Sequence, residues 1–344
     1  MTFTLLFTCV GDEFAPQVVQ ALRASKRHDV RVIGVDVGEK ALGRHFVDAF
    51  AVVPPGDHPG YVDAICAIAE RYKVDLVLPK ADEEALALAA RRADVEVRGR
   101  KLACGSIETL RIIADKMRAY EVLAAAGIRV PAWHRATSLA EIESAVAAIL
   151  DRHGGAVVKP PDERGARGVC VIRSDVRGAH AIEGGREMHM DLATFKSEFL
   201  HRFAQRLPAM VMERLVEPVH DIDILAYEGR PIRVIPRRRV DSALPNEGHL
   251  FVDAPELVDL GERLARALNL TWLYDCDVMY DAEGRPGILE VNPRPSGSLA
   301  ATLAAGVPLM DDVISMAKGE ALPEVAAPTG RKVVPYRAIA EARG

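Results

Sequence analysis

Short apolar runs alternate with helical spacings through the first hundred residues. Residues 3–10 (FTLLFTCV) and 30–36 (VRVIGVD) are continuous apolar runs and read as buried strands. Between them, 15–26 (APQVVQALRASK) repeats its apolar positions at helical spacing, and 60–72 and 83–92 do the same. A third strand, 74–78 (VDLVL), stops at Pro79. Buried strands alternating with helices predict βαβ units, a Rossmann-like parallel sheet covered on both faces. Its first turn, CVGDEFAP, offers only Gly11 where a dinucleotide fingerprint needs GxGxxG. Asp36 ends the second strand, where a ribose-binding acid would sit. Without the glycines, a structural α/β unit is favoured over NAD binding.

The pattern changes after a polar, loop-like stretch at 98–106, which marks a domain boundary. One helix is expected over 107–126, stopped by Gly127. Beyond it, short strands meet across tight turns: 156–160 with 168–173, 219–227 with 232–240, and 274–280 with 287–292. Hairpins of this kind predict an antiparallel α+β body, distinct from the first unit. The polar, His- and Met-containing stretch 178–198 reads as an exposed insertion. The proline-bearing tail after Pro323 is expected to cross back over another domain.

Composition narrows the partners. The chain has 344 residues, room for two or three units, and its net charge of -5 with 5% aromatics disfavours a base-stacking nucleic-acid surface. Five dispersed cysteines without a CxxC pair fit reduced thiols better than a zinc site. No run reaches the roughly 20 apolar residues of a membrane span, and the N-terminus lacks a signal-peptide pattern. A cytoplasmic protein is expected, with no nucleic-acid and no membrane partner.

The sharpest constellation is YDCDVMYDAEGRPGILEVNPRPSGS, residues 274–298. If the hairpin closes symmetrically between Glu283 and Gly284, Asp277 falls opposite Glu290 and Asp275 opposite Asn292, all on one face. Cys276, Val278, Leu289 and Val291 take the other. Directly opposed carboxylates lie about 5 Å apart and repel, so a hard divalent cation such as Mg2+ is the natural compensation. The alternative is a solvated or arginine-satisfied acidic face, and a bulge would break the pairing. Arg294 adds a guanidinium suited to phosphate oxygens.

Other positions carry weaker signals. Lys116 lies on the helix after the boundary, where an exposed lysine without a role is the plain alternative. Lys159 follows buried valines, and the loop behind it spaces Gly165 and Gly168 with Arg164 and Arg167, a pattern able to cover an anion or simply to turn. The strand AMVME ends in Glu213, and Glu217 follows after Leu215 and Val216, as in a nucleotide hinge or an ordinary strand end. Alternation sends Arg237 and Arg239 to one face and Arg238 to the other. A substrate carboxylate or a solvated basic edge would suit the first two, and Ser296 and Ser298 could add hydroxyls.

Together these segments resemble the ATP-grasp superfamily over nearly the whole chain, specifically members similar to carbamoyl-phosphate synthase, biotin carboxylase and carboxylate–amine ligases. The resemblance implies a Rossmann-like pre-ATP-grasp α/β domain at 1–100 and a two-lobed ATP-grasp region of antiparallel sheets at 101–344, with a lid at about 135–214 and a central lobe at about 215–325. It implies ATP and Mg2+ as cofactors, with Mn2+ as a substitute. Lys116, Lys159 and the flap residues Arg164, Gly165 and Gly168 match phosphate contacts. Glu213, Leu215 and Val216 match the adenine hinge, and Glu217 the ribose contact. His220, Asp221 and Asp223 fall near ribose or substrate. Asp277, Glu290 and Asn292 match metal ligands, and Arg294, Lys159 and Arg239 the catalytic set. The flap reads RGARG, where many relatives carry more glycine and a serine, and the first metal carboxylate is Asp rather than the more frequent Glu.

The function this implies is an ATP-dependent ligase. A small carboxylate becomes an acyl phosphate, and an amine or other nucleophile then displaces phosphate. The alternatives are a bicarbonate-activating carboxylase or carbamoyl-phosphate-type enzyme, and a non-catalytic nucleotide-binding protein. Small-molecule carboxylate and amine substrates are the expected partners, and a homodimer is admitted by family analogy.

Overall fold

The computed structural model describes residues 2–160, 168–181, 187–244 and 246–339. Among these, the strands assemble into three sheets. The first contains β1 (Phe3–Phe7), β2 (Val30–Asp36), β3 (Ala49–Val52), β4 (Leu76–Leu78) and β5 (Lys101–Leu102). They run in parallel in the order β3-β2-β1-β4-β5. The helix Ala15–Arg23 buries Val18, Val19 and Leu22 against it, each worth about 1.5–3 kcal/mol relative to exposure. Asp36 accepts from the Gly11 and Gly38 N–H groups (2.7 and 2.9 Å), so it closes the first turn as a structural acid. A side chain at Gly11 would meet Asp36 at 2.8 Å.

The second sheet holds β6 (Trp133–Ala136), β7 (Gly155–Lys159), β8 (Cys170–Arg173), β9 (Ala179–Ala181), β10 (Met188–Met190) and β11 (Ala209–Glu213), in the order β6-β11-β7-β8-β10-β9. The exposed insertion expected over 178–198 is corrected here. β10 pairs in parallel with β8, while Met190, Phe195 and Phe199 enter the apolar core of this sheet. Their spacing within a polar stretch hid them.

The third sheet contains β12 (Val216–Tyr227), β13 (Arg230–Arg239), β14 (His249–Phe251), β15 (Trp272–Tyr280), β16 (Pro286–Asn292) and β17 (Lys332–Val333). Its order is β16-β15-β12-β13-β14-β17. The helix Pro255–Ala267 packs Leu257, Leu260 and Leu264 on the face that carries Ile222, Ile224, Cys276 and Val278. The tail returns as β17 and pairs with β14.

The single helix expected over 107–126 is two, Ile107–Ala114 and Lys116–Ala125. Asp115 leaves helical geometry between them and caps the second, accepting from the Met117 and Arg118 N–H groups. The break sets Lys116 in the first turn of a helix, where the backbone dipole favours anions.

Candidate functional site

The acidic hairpin has the expected pairing for a different reason. Asp277 lies opposite Glu290 and Asp275 opposite Asn292, but Val278 faces Ile288 and Tyr280 faces Pro286. The turn therefore centres on Glu283, and one extra residue, Leu289, forms a bulge that restores the register. Leu289 consequently leaves the core face. Ile288 takes its place with Cys276, Val278 and Val291, and Leu289 packs with Met117, Tyr120, Met210 and Met212. The Tyr120 hydroxyl donates to the Ile288 carbonyl at the bulge and lies 3.4 Å from that of Leu289.

Antiparallel pairing of β12 with β13 and β15 brings Asp221 and Asp223 to the face that carries Asp275, Asp277, Arg237 and Arg239. Arg239 holds Asp221 (2.6 Å) and Asp277 (3.0 Å). Fully buried Arg237 donates to Asp223 (3.1 Å), Ser296 (2.9 Å) and Ser298 (2.8 Å), and its Nη1 lies 2.9 Å from His249. Arg238 is exposed on the opposite face, as alternation requires.

Two nucleotide contacts do not fit this geometry. The carboxylate of Asp223 is wholly buried and accepts from Arg237 and the Thr302 hydroxyl, so it stands behind the site. His220 falls on the face opposite Asp221, hydrogen-bonded with the Pro218 carbonyl (3.1 Å) and edge-on to Tyr280. Neighbouring strand residues alternate faces, so His220 and Asp223 do not share a ligand. Burial lowers the His220 pKa, favouring the neutral ring.

Facing cations complete the cluster. Lys116 Nζ lies 3.0 Å from Glu290. Lys159 ends β7, and burial together with Lys116 lowers its pKa to about 8. Arg294 reaches Asp82 (3.1 Å), Asp275 (3.8 Å) and the Asn292 amide oxygen (3.4 Å). Asp82 begins the helix Asp82–Ala90 beside the first sheet, and only the fold brings it here. Gly168 has φ +69°, accessible to glycine without strain, while Arg164 and Gly165 lie outside the described residues.

At the hinge, the Glu213 carboxylate turns inward to the Ala132 N–H (2.9 Å) and His153 (2.8 Å), and its N–H donates to the Ala132 carbonyl (2.8 Å), so neither is free for a ligand edge. Leu215 is buried, Val216 is partly buried and begins β12, and Glu217 is exposed. A Cβ at Gly287 would meet Leu215 at 2.8 Å, so this glycine lets the hinge and hairpin close together.

The donor set fits a hard cation. Asp277 and Asp275 each have a buried Oδ1 without a hydrogen-bond partner, and buried orphan carboxylate oxygens are costly. Burial, with the Asp221 and Glu290 carboxylates, pushes Asp277 up to about 7 despite Arg239. Burial and the Asp277 and Asp221 carboxylates hold Asp275 well above the usual range. Asp221 is held below it, because Arg237 and Arg239 outweigh burial. Glu290 is also low, because Lys116 and Lys159 outweigh burial. Ligand atoms of Asp221, Asp275 and Asp277 lie within 4.8 Å of one another. This trio shares Asp277 with the expected set, while Glu290 is turned toward Lys116 and Asn292 donates to Asp275 (3.1 Å).

Residues 205–342 match the family model described as ATP-grasp in the biosynthetic pathway with Ter operon, and residues 5–103 match the PylC-like N-terminal domain. The uncharacterized protein y4rH of Sinorhizobium fredii is 29% identical over 219 residues, 62% of this chain and 43% of that protein. A D-alanine–D-alanine ligase of Gloeobacter violaceus is 29% identical over 208 residues, 58% and 65% of the two chains. The matched regions thus span 43% and 65% of these relatives' lengths. In fold, the chain resembles N5-carboxyaminoimidazole synthetase from Staphylococcus aureus complexed with ADP. That match has TM-score 0.69 at 12% identity and covers 94% of this chain and 79% of that one. Among the described residues, no helix is long and apolar enough to cross a membrane.

Proposed function

We propose, from the ATP-grasp match over residues 205–342 behind the PylC-like match over residues 5–103, that this chain is an ATP-dependent ligase that activates a small carboxylate for attack by an amine. The observation that carries this reading is the opposed pair Asp277 and Glu290, flanked by Lys116, Lys159 and Arg294 on one face. In this reading residues 1–100 form the pre-grasp domain, about 135–214 the lid, and about 215–325 the central lobe.

When bound, Mg-ATP supplies the γ-phosphoryl group and the charge neutralisation that make the carboxylate an acyl phosphate. Asp277 and Glu290 would hold the cation, with Asn292 and the adjacent Asp275 and Asp221 as further oxygen donors. Lys116 and Lys159 would hold phosphate oxygens; binding there releases Lys116 from Glu290. The apolar group of Met117, Met210, Met212 and Leu289 would seat the base beside the main chain of Glu213, Leu215 and Val216. Glu217, exposed past the hinge, would contact the ribose. Arg294 would steady charge on the transferring group. A carboxylate oxygen attacks the γ-phosphorus as the bond to the β-phosphate oxygen breaks, releasing ADP. The amine then attacks the carbonyl carbon, phosphate leaves, and the nitrogen gives up a proton to solvent.

Mg-dependent ADP release over pools of amino acids, other carboxylates, amines and bicarbonate tests this, with Glu290→Ala as control. Release that requires a carboxylate and disappears in the variant supports the ligase. Bicarbonate alone sufficing replaces it with a carboxylase-type reaction. Tight Mg-ATP binding with no release from any pool replaces it with a nucleotide-binding protein.

A further inference from the structure

The first sheet reverses its strand order between β1 and β4: the chain moves outward through β2 and β3, then returns to β4 on the other side of β1. Ligands of open parallel sheets bind outside the strands' carboxyl ends at such a switch point. Two loops meet there, residues 8–14 after β1 and 79–81 after β4. Lys80 stands in the second, with its side chain only 2% exposed. It faces Asp12 at 3.0 Å, and Asp12 already accepts from the Phe14 N–H (2.8 Å). The backbone beneath is rigid: the Lys80 N–H donates to Thr8 (2.9 Å), whose hydroxyl donates to buried Glu84 (2.5 Å). Burial lowers the lysine's pKa against the pull of Asp12, and Arg294 adds to the lowering.

An ammonium with three donors is thus held out of water behind one shared carboxylate. Arg294 stands close enough to act on Lys80 and is bound to Asp82 at the start of the helix that follows it. We propose that Lys80 is a specificity-determining residue that receives a carboxylate of the small-molecule substrate at this switch point, with Asp12 as its resting partner. The N-terminal domain therefore supplies part of the substrate site, and the acidic hairpin supplies the chemistry. This assignment rests on the ligase reading.

The test compares wild type with Lys80→Met and Lys80→Gln in Mg-ATP-dependent ADP release over a panel of the common amino acids and di- and monocarboxylates. Mg-ADP affinity is measured alongside as a check that the fold and nucleotide site are intact. The expected result is a rise of about tenfold or more in substrate KM, the loss of a hydrogen bond to a charged group, with KM for ATP and Mg-ADP affinity within about twofold. Unchanged substrate KM in a variant that binds Mg-ADP normally overturns the role of Lys80 alone. A matching rise in KM for ATP overturns it too, placing Lys80 at the nucleotide. No carboxylate-dependent release by the wild type overturns the ligase reading and this assignment together. If Lys80→Met fails to bind Mg-ADP, the polar, uncharged Lys80→Gln decides.

Discussion

The second and third sheets carry opposite solutions to buried charge. On the second, Lys159 ends an apolar strand, and burial beside Lys116 lowers its pKa to about 8. On the third, Arg237 is fully buried, yet Asp223, Asp221 and Asp275 outweigh burial and hold it firmly protonated. A buried cation set beside another cation is poised for an anion that arrives from outside. A cation already satisfied by acids and hydroxyls instead fixes the positions of its neighbours. Geometry around each charge, more than its identity, separates a binding group from a positioning one.

The largest effect expected from breaking this contrast is at Arg237. Arg237→Met should cost about 3–5 kcal/mol of stability, because Asp223 is left buried without its cation. Urea denaturation measures it, and a loss below about 1 kcal/mol would mean the network is dispensable. Next comes Glu290→Ala, which should lower carboxylate-dependent ADP release about a hundredfold or more. A third prediction concerns pH. The protonated Lys159 is the form that attracts phosphate, so its own contribution to Mg-ADP affinity should be constant below about pH 7, where any decline reports protonation of Asp277 instead. The affinity should fall by up to about tenfold per pH unit above about 8, as the lysine loses its proton. Titration calorimetry across that range, with Lys159→Met as the comparison without this lysine, would expose a wrong assignment through an unchanged profile in the variant. The smallest effect should come from Arg238→Ala. This side chain is exposed on the opposite face, so both stability (within about 0.5 kcal/mol) and ADP release should match wild type.

Much of the architecture was legible because burial imposes a period. Apolar runs marked the parallel strands, and alternation set Arg237 and Arg239 against Arg238. The pairing of Asp277 with Glu290 was read correctly, but through a symmetric turn; the bulge at Leu289 that restores the register leaves no periodic signature. That bulge moves Leu289 from the core to the apolar group beside the hinge. His220 and Asp223 were grouped by closeness in sequence, although they lie on opposite faces of the sheet. The insertion expected at 178–198 concealed Met190, Phe195 and Phe199, which the core of the second sheet buries.

The sequence by itself determined which residue types were available, which strands were buried and which strand faces carried charge, because these follow from local alternation and from the chemistry of each side chain. Only the tertiary structure decided that Asp82 meets Arg294, that Asp221 joins Asp275 and Asp277, and that Lys80 stands at the switch point of the first sheet. Those contacts span long separations in the chain. Their partners are selected by sheet order and desolvation, which act in three dimensions and leave no spacing in the sequence to read.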